Sequence, residues 1–333
     1  MHHISSCAIF RNRRSDPLSR KKILVLGASG MLGHVLVDTL SKNISLDITA
    51  TVRRPEFKMQ FSSQIPSVHW KSLNLDQASI INNFFENVGE SDWVINAIGL
   101  IKQSIIDSSK DCVDQALCMN AHFPHALARI CEKNKTRILH VSTDCVFSGQ
   151  KGHSIESHEP DALDVYGRTK YLGEVNHPRF HTIRSSLIGR SLHSKTGLLD
   201  WFLNLNRGEK IKGYGNHIWN GLSTLHFSKI CLGIILNETP LPNILHLIPG
   251  SEISKLELLN MFAHHFNRTD VLVEPFSTET ACDRTLATEN PQLNREIWRN
   301  AGYEQVPSIA TMVREFAEFA TQKSLTSPFD TKE

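Results

Sequence analysis

The run Lys22-Ile-Leu-Val-Leu-Gly27 leads directly into Gly27-Ala-Ser-Gly30-Met-Leu-Gly33, and an apolar stretch over 34–40 follows. An apolar run this short that stops at glycine suits a buried parallel strand better than a helix. Glycines at a strand-to-helix junction permit a tight turn. They also let a pyrophosphate approach the helix N-terminus, where free N–H groups and the helix dipole favour an anion. Such spacing occurs by chance, so it is the placement between strand and helix that points to a dinucleotide.

Strand-like segments recur at 47–52, 93–97, 137–142 and 180–184, alternating with helical patterns at 76–85, 113–131 and 165–175. This alternation predicts an α/β fold, a Rossmann-type doubly wound parallel sheet. After about residue 186 it weakens into amphipathic pieces at 198–206, 227–236 and 255–266, separated by Gly- and Pro-containing loops. The expected organisation is a tail over 1–20 and a dinucleotide-binding domain carrying the catalytic residues over 21–185. Residues 186–325 form mainly a smaller, mixed substrate lobe, with some chain returning to the first domain. A chain of 333 residues, 40% of them hydrophobic, exceeds the size at which a single core stops growing.

Lys and Arg total 36 against 34 Asp and Glu, which leaves no electrostatic footprint for nucleic acid or an anionic membrane. No apolar run is long enough for a membrane helix, and the basic first 20 residues lack a secretory apolar core. The seven cysteines form no Cys-x-x-Cys pair and read as reduced thiols of a cytoplasmic protein. No His/Asp/Glu cluster suggests a catalytic metal, and His122 and His125 read as helix surface or packing residues.

The strand at 47–52 ends in Thr51-Val52-Arg53-Arg54 rather than in the acidic residue that usually holds the ribose hydroxyls of NAD. Two guanidiniums suit the 2′-phosphate of NADPH, although NADH use stays open, as does a reading of both as solvated surface charges. Further on, Val141-Ser142-Thr143-Asp144-Cys145 leaves a strand, and Tyr166-Gly-Arg-Thr-Lys170 lies on a helix. Residues four apart share a helix face, so the Lys170 ammonium is expected to lower the pKa of the Tyr166 phenol. Thr143 is then able to hydrogen-bond a carbonyl oxygen as charge develops on it.

The glycine loop, Asn96-Ala-Ile-Gly99, Ser142-Thr143-Asp144 with Val146-Phe147, and Tyr166-Gly-Arg-Thr-Lys170 with Gly173-Glu174 stand in the order found in extended short-chain dehydrogenase/reductases. Over roughly 22–320 the chain most resembles the dTDP-4-dehydrorhamnose reductase family. The resemblance implies a catalytic triad of Thr143, Tyr166 and Lys170, with Tyr166 as the acid and Lys170 also on the nicotinamide ribose. It implies cofactor contacts from Gly27, Ser29, Gly30, Met31, Leu32 and Gly33, from Arg53, Arg54, Asn74 and Leu75, and from Asn96, Ala97, Ile98 and Gly99. Asn120 either supports Lys170 through water or caps a neighbouring carbonyl.

Cys145 stands where these reductases usually carry Tyr and the related dehydratases carry Glu. GDP-fucose synthase, which resembles this chain in having Cys there, suggests proton exchange by Cys145 with His193 or Lys195 as partner; a small packing residue is the other reading. Ser185, Ser186 and Leu187 replace the segment where the family has an aromatic residue at the sugar. The function so implied is NAD(P)H-dependent reduction of a 4-keto deoxy nucleotide sugar for cell-surface polysaccharide or deoxy-sugar synthesis, with a homodimer as the family prior. The alternatives are an epimerase or epimerase/reductase using Cys145, and a non-catalytic regulatory subunit like that of methionine adenosyltransferase.

Overall fold

A computed structural model of the chain describes residues 20–75, 84–193 and 197–326. The strands are β1 (Lys21–Leu26), β2 (Leu46–Val52), β3 (His69–Ser72), β4 (Trp93–Asn96), β5 (Arg137–Val141), β6 (Phe180–Arg184), β7 (Leu187–Ile188), β8 (Lys210–Tyr214), β9 (His217–Trp219), β10 (Leu222–Ser223), β11 (Ile244–His246), β12 (Ile253–Ser254), β13 (Leu272–Phe276) and β14 (Cys282–Asp283). The helices are α1 (Gly33–Ser41), α2 (Pro55–Gln64), α3 (Phe84–Val88), α4 (Lys110–Ala116), α5 (Phe123–Lys133), α6 (Val165–Leu172), α7 (Leu198–Leu203), α8 (Thr224–Asn237), α9 (Lys255–His265), α10 (Pro291–Asn300) and α11 (Ile309–Thr326).

Seven strands form one parallel sheet in the order β11-β6-β5-β4-β1-β2-β3. Strands buried on both faces must be apolar on both, which explains the unbroken aliphatic runs of β1 and β4. One face carries Ile23, Val25, Ile95 and Ile183 against Leu36 of α1, Ile230 and Ile234 of α8 and Phe316 of α11. The opposite face carries Leu24, Leu26, Val94 and Ile138 against Phe84 of α3 and Phe123 and Leu127 of α5. The order reverses between β1 and β4, and ligands of open parallel sheets bind in the crevice beyond such a switch point.

The doubly wound sheet expected from the sequence is therefore present, with two strands that pattern reading gave no bounds. Edge strand β3 has a single buried residue, and the three residues of β11 return from the C-terminal half to pair with β6. The helix expected over 113–131 is interrupted by a π-helical turn at Leu117–His122. The helix expected over 165–175 stops at Leu172, capped at Gly173. The segment expected as helix over 76–85 lies mostly outside the described residues, as do Cys7 and Lys195. Beyond β6, the C-terminal half adds small sheets pairing β7 with β10, β8 with β13, and β9 with β12 and β14.

Gly33 opens α1 where a Cβ atom would stand 2.1 Å from the Gly27 carbonyl oxygen, whereas a Cβ at Gly30 would meet only that oxygen, at 3.3 Å. Gly33→Ala is therefore expected to cost about 2–3 kcal/mol through overpacking, and Gly30→Ala to stay within about 0.5 kcal/mol. Urea unfolding of both variants checks this contrast.

Candidate active site

The glycine turn lies at the switch point. Gly27 adopts φ +78°, a left-handed conformation that strains any side chain. The loop is pinned to the end of β2 by Ala28 N–H donating to the Thr51 carbonyl at 2.8 Å and Gly27 N–H donating to Thr51 Oγ1 at 3.3 Å. A Cβ on Gly27 would meet Ala97 and Ile98, so the segments after β1 and β4 touch. Ser29, Gly30 and Met31 keep exposure, while Leu32 turns its side chain into the core.

Arg53 and Arg54 leave β2 exposed to solvent. Ser72 reaches back to the Arg53 carbonyl, so Asn74 and Leu75 leave β3 beside that arginine. Arg54 lies 5.9 Å from the centroid of the Phe57 ring on α2. A tight glycine turn at a helix start with two exposed guanidiniums on the next strand fits the pyrophosphate and 2′-phosphate of NADPH.

Thr143 follows β5 and caps the short 3-10 turn Asp144–Val146. Its hydroxyl accepts from Cys145 N–H at 3.1 Å and donates to the Asp144 carboxylate at 3.0 Å. Helix α6 begins at Asp164, whose carboxylate accepts from Gly167 N–H at 2.8 Å and from Lys102 at 2.6 Å. A Cβ at Gly167 would stand 2.2 Å from the Cys145 carbonyl oxygen. That close approach seats Tyr166 against the turn, with its phenol within hydrogen-bonding reach of Thr143.

Burial, and then the Cys145 thiol, hold the phenol of Tyr166 above its ordinary pKa despite the Thr143 contact. The expected lowering by Lys170 is not met. Lys170 is buried and directs its Nζ to the Val141 carbonyl at 2.7 Å, and burial, the largest influence on the phenol, raises it instead. Burial brings Lys170 down to about 8, against the opposing pull of Glu174. Tyr166 is thus in its acid form, the form that gives up a proton.

The π-helical turn buries Asn120. Its amide accepts from Leu100 N–H at 2.8 Å and donates to the Leu100 carbonyl at 3.2 Å and to Thr169 Oγ1 at 3.2 Å. Of the two readings of Asn120, the carbonyl-capping one is observed, with the amide fixing the loop that carries Gly99 beside Lys170. Asn96 is fully buried and spends its amide on His140 at 3.0 Å and on Ile98 N–H at 3.2 Å. Its side chain is thus committed to the interior, whereas Ala97, Ile98 and Gly99 keep exposure.

Cys145 is half-buried, and burial followed by the Asp144 charge pushes its thiol up to about 12. His193 is not beside it. That imidazole stacks on Phe57 at 4.0 Å and is lowered by burial and by Arg54, so it belongs to the arginine side of the site. Ser185 is buried with its hydroxyl on the Ser186 carbonyl at 3.2 Å, and Leu187 pairs with Leu222 in the β7–β10 ladder, so this trio is engaged in the β6–β7 connection. Sequence reasoning missed Arg284, which donates to the Phe147 carbonyl at 2.9 Å and opposes the burial that raises Asp144 and Cys145. It sits in a loop outside every motif, where an arginine reads as surface charge. Among the described residues no cluster of metal-ligating side chains occurs, no helix is long and apolar enough to cross a membrane, and the cysteines are free thiols.

A doubly wound parallel sheet with a glycine turn at its switch point, a threonine leaving β5 and a tyrosine and lysine one turn apart on α6 define a protein of the extended short-chain dehydrogenase/reductase type. The chain belongs to the RmlD substrate binding domain family, whose pattern matches residues 21–321. It is 27% identical over 167 residues to a dTDP-4-dehydrorhamnose reductase of Mycolicibacterium smegmatis, a match covering 49% of this chain and 43% of that protein. The chain thus spans a little under half the length of this curated relative. It resembles the crystal structure of a dTDP-4-dehydrorhamnose reductase of Clostridium acetobutylicum with a TM-score of 0.68 at 20% identity, over 90% of this chain and 99% of that one. The Bacillus anthracis dTDP-4-dehydrorhamnose reductase, solved in complex with NADP, gives a TM-score of 0.66 at 21% identity, over 91% of this chain and 100% of that one.

Deep burial keeps His140 neutral, well below the ordinary 6.5, and burial lowers His226 to about 4. The unfolded chain therefore takes up protons near pH 6.5 that the folded one refuses. Stability present above 6.5 is lost as pH falls below it, by about 1.4 kcal/mol per pH unit for each histidine. Urea unfolding between pH 7.5 and 5 is expected to follow this slope, and His140→Phe to make it shallower.

Proposed function

We propose that this protein is a cytoplasmic, NADPH-dependent reductase of a 4-keto deoxy nucleotide sugar, in deoxy-sugar or polysaccharide biosynthesis. The observation that carries the reading is a phenol kept in its acid form by burial, against the Thr143 hydroxyl and on the same helix as a buried lysine. The names of the relatives, and the NADP bound by the Bacillus anthracis structure, support the same substrate class and cofactor.

In this reading the backbone of Gly27, Ser29, Gly30, Met31, Leu32 and Gly33 receives the pyrophosphate, Arg53 and Arg54 take the 2′-phosphate, and Asn74 and Leu75 flank the adenine. When bound, NADPH supplies a hydride to the C4 carbonyl carbon. Thr143, its single hydroxyl proton turned from Asp144 to the substrate, and Tyr166 hold the carbonyl oxygen between their hydroxyls, where growing negative charge strengthens both hydrogen bonds. Tyr166 gives its proton to that oxygen, so ketone, hydride and proton balance as the alcohol. The phenolate left behind is stabilised by the Lys170 ammonium and regains its proton from solvent. A thiol held protonated, as Cys145 is, supplies no base to take a ring proton, which favours reduction over epimerisation. The intact triad also disfavours a purely regulatory subunit.

NADPH oxidation by the purified protein with dTDP-, UDP- and GDP-linked 4-keto-6-deoxy sugars tests this reading. Turnover is expected with one nucleotide class, falling about 10²–10⁴-fold in Tyr166→Phe with NADPH affinity retained. Unchanged turnover in that variant, or none by the wild type with any of these sugars, contradicts it. An Arg53→Ala/Arg54→Ala double variant is expected to bind NADPH roughly tenfold or more weakly and NADH about as before, as measured by cofactor fluorescence titration.

A further inference from the structure

Behind the catalytic cluster lies a buried polar chain that the reaction scheme leaves unused. The Glu174 carboxylate accepts from Ser142 Oγ at 2.6 Å, from Arg184 Nη2 at 2.6 Å and from Arg184 Nε at 2.9 Å. Both side chains of the Glu174–Arg184 pair are 1% exposed. Arg184 Nη1 lies 3.3 Å from His246 Nε2 on β11, its guanidinium is 5.3 Å from the Phe147 ring centroid, and His246 Nδ1 faces the carbonyls of Ser154 and Ala287. The chain therefore joins the end of β5, the end of α6, β6 and the returning strand β11.

A buried ion pair usually contributes little net stability, because desolvation offsets the attraction, so a second role for this one is worth seeking. Glu174 stands four residues after Lys170 and one residue past the Gly173 cap, while Ser142 immediately precedes Thr143. The Lys170 ammonium is itself buried, with the Val141 carbonyl as its hydrogen-bond acceptor. Its surroundings are otherwise poor in negative charge. His140 approaches from β5, fully buried and neutral; Tyr166 on α6 keeps its proton; Asn120 from the π-helical turn is uncharged; and Arg184 on β6 is a cation. Glu174 is the carboxylate that acts on Lys170.

We propose that Glu174, locked by Ser142 and Arg184, is a positioning residue that serves as counter-charge to Lys170 and, through Ser142, braces the backbone turn carrying Thr143. The proposal rests on the reading of Lys170 as part of the reductase site. Burial alone brings Lys170 towards neutrality, to about 8 even with Glu174 in place. Without the carboxylate the ammonium loses its proton at lower pH, and the phenolate formed on Tyr166 loses its stabilising charge.

The test is the pH profile, from 6 to 10, of NADPH-driven reduction of whichever dTDP-, UDP- or GDP-linked 4-keto-6-deoxy sugar the wild type turns over, by the full-length wild type and by Lys170→Met, Glu174→Gln, Glu174→Asp and Glu174→Gln/Arg184→Gln. The double variant replaces the ion pair by neutral amides and keeps the test open if Glu174→Gln, with Arg184 left uncompensated, fails to fold. In the wild type, activity is expected to fall as pH rises through about 8. That limb is expected to move down by about one pH unit in Glu174→Gln and in the double variant, and to return towards the wild-type position in Glu174→Asp. A merely structural ion pair lowers melting temperature without moving the limb, so variant profiles that superimpose on the wild type overturn the proposal while leaving the site intact. Absence of wild-type turnover with every sugar of that panel, or a Lys170→Met variant as active as the wild type, overturns the reading of the site itself and this proposal with it.

Discussion

The geometry of the site rests on how closely helix α6 approaches the turn after β5. Gly167 lies where any side chain would collide with the Cys145 carbonyl, and Gly173 lies where a Cβ would stand 1.9 Å from the Asn120 carbonyl oxygen. Each end of one short helix is thus pressed against backbone, which permits little sliding or rotation. Tyr166 and Lys170 lie between those two contacts. The Thr143 hydroxyl is fixed by its own capping bonds, so the distance between phenol and hydroxyl is set by main-chain packing rather than by flexible side chains. With both oxygens held in place, serving a developing oxyanion requires only that the Thr143 proton turn from Asp144.

Electrostatics builds on that frame. Asp144, Lys170, Glu174 and Arg184 are all buried, and each has a partner that compensates its desolvation: Arg284 for Asp144, and the Ser142–Glu174–Arg184–His246 chain for the rest. His140, by contrast, is so deeply enclosed that it stays neutral, which spares Lys170 a second cation. The exposed charges of the site are Arg53 and Arg54, at the mouth where an anionic cofactor would enter. Interior charges are paired and tuned, while exterior ones remain open for binding.

Much of this was legible in the sequence because it depends on local rules. The glycine turn, the aliphatic central strands, Thr143 and the Tyr166–Lys170 spacing follow from short-range geometry. The remainder depends on contacts between distant segments. The three residues of β11 are too short to carry a period, and only pairing with β6 makes them a strand. The π-helical turn around Asn120 shares the apolar pattern of its flanking helices, and the clamp on Leu100 that accompanies it is a tertiary contact. Lys170 was expected to lower the Tyr166 phenol because helix spacing brings the two residues together, but burial and the neighbouring thiol outweigh that proximity. Arg284 reaches the site from far along the chain, and no spacing rule announces it. The fold class was therefore readable from pattern, whereas the protonation states were not.

The most direct test of the account is a reaction with NADPH carrying deuterium at the transferable position, in light water, followed by NMR of the nucleotide-sugar product. Reduction by the Thr143–Tyr166–Lys170 site predicts one deuterium at C4 of the sugar and none introduced elsewhere on the ring. A product without deuterium at C4 would contradict it, and solvent deuterium at neighbouring ring carbons, in the mirror experiment with unlabelled NADPH in heavy water, would point to epimerisation instead.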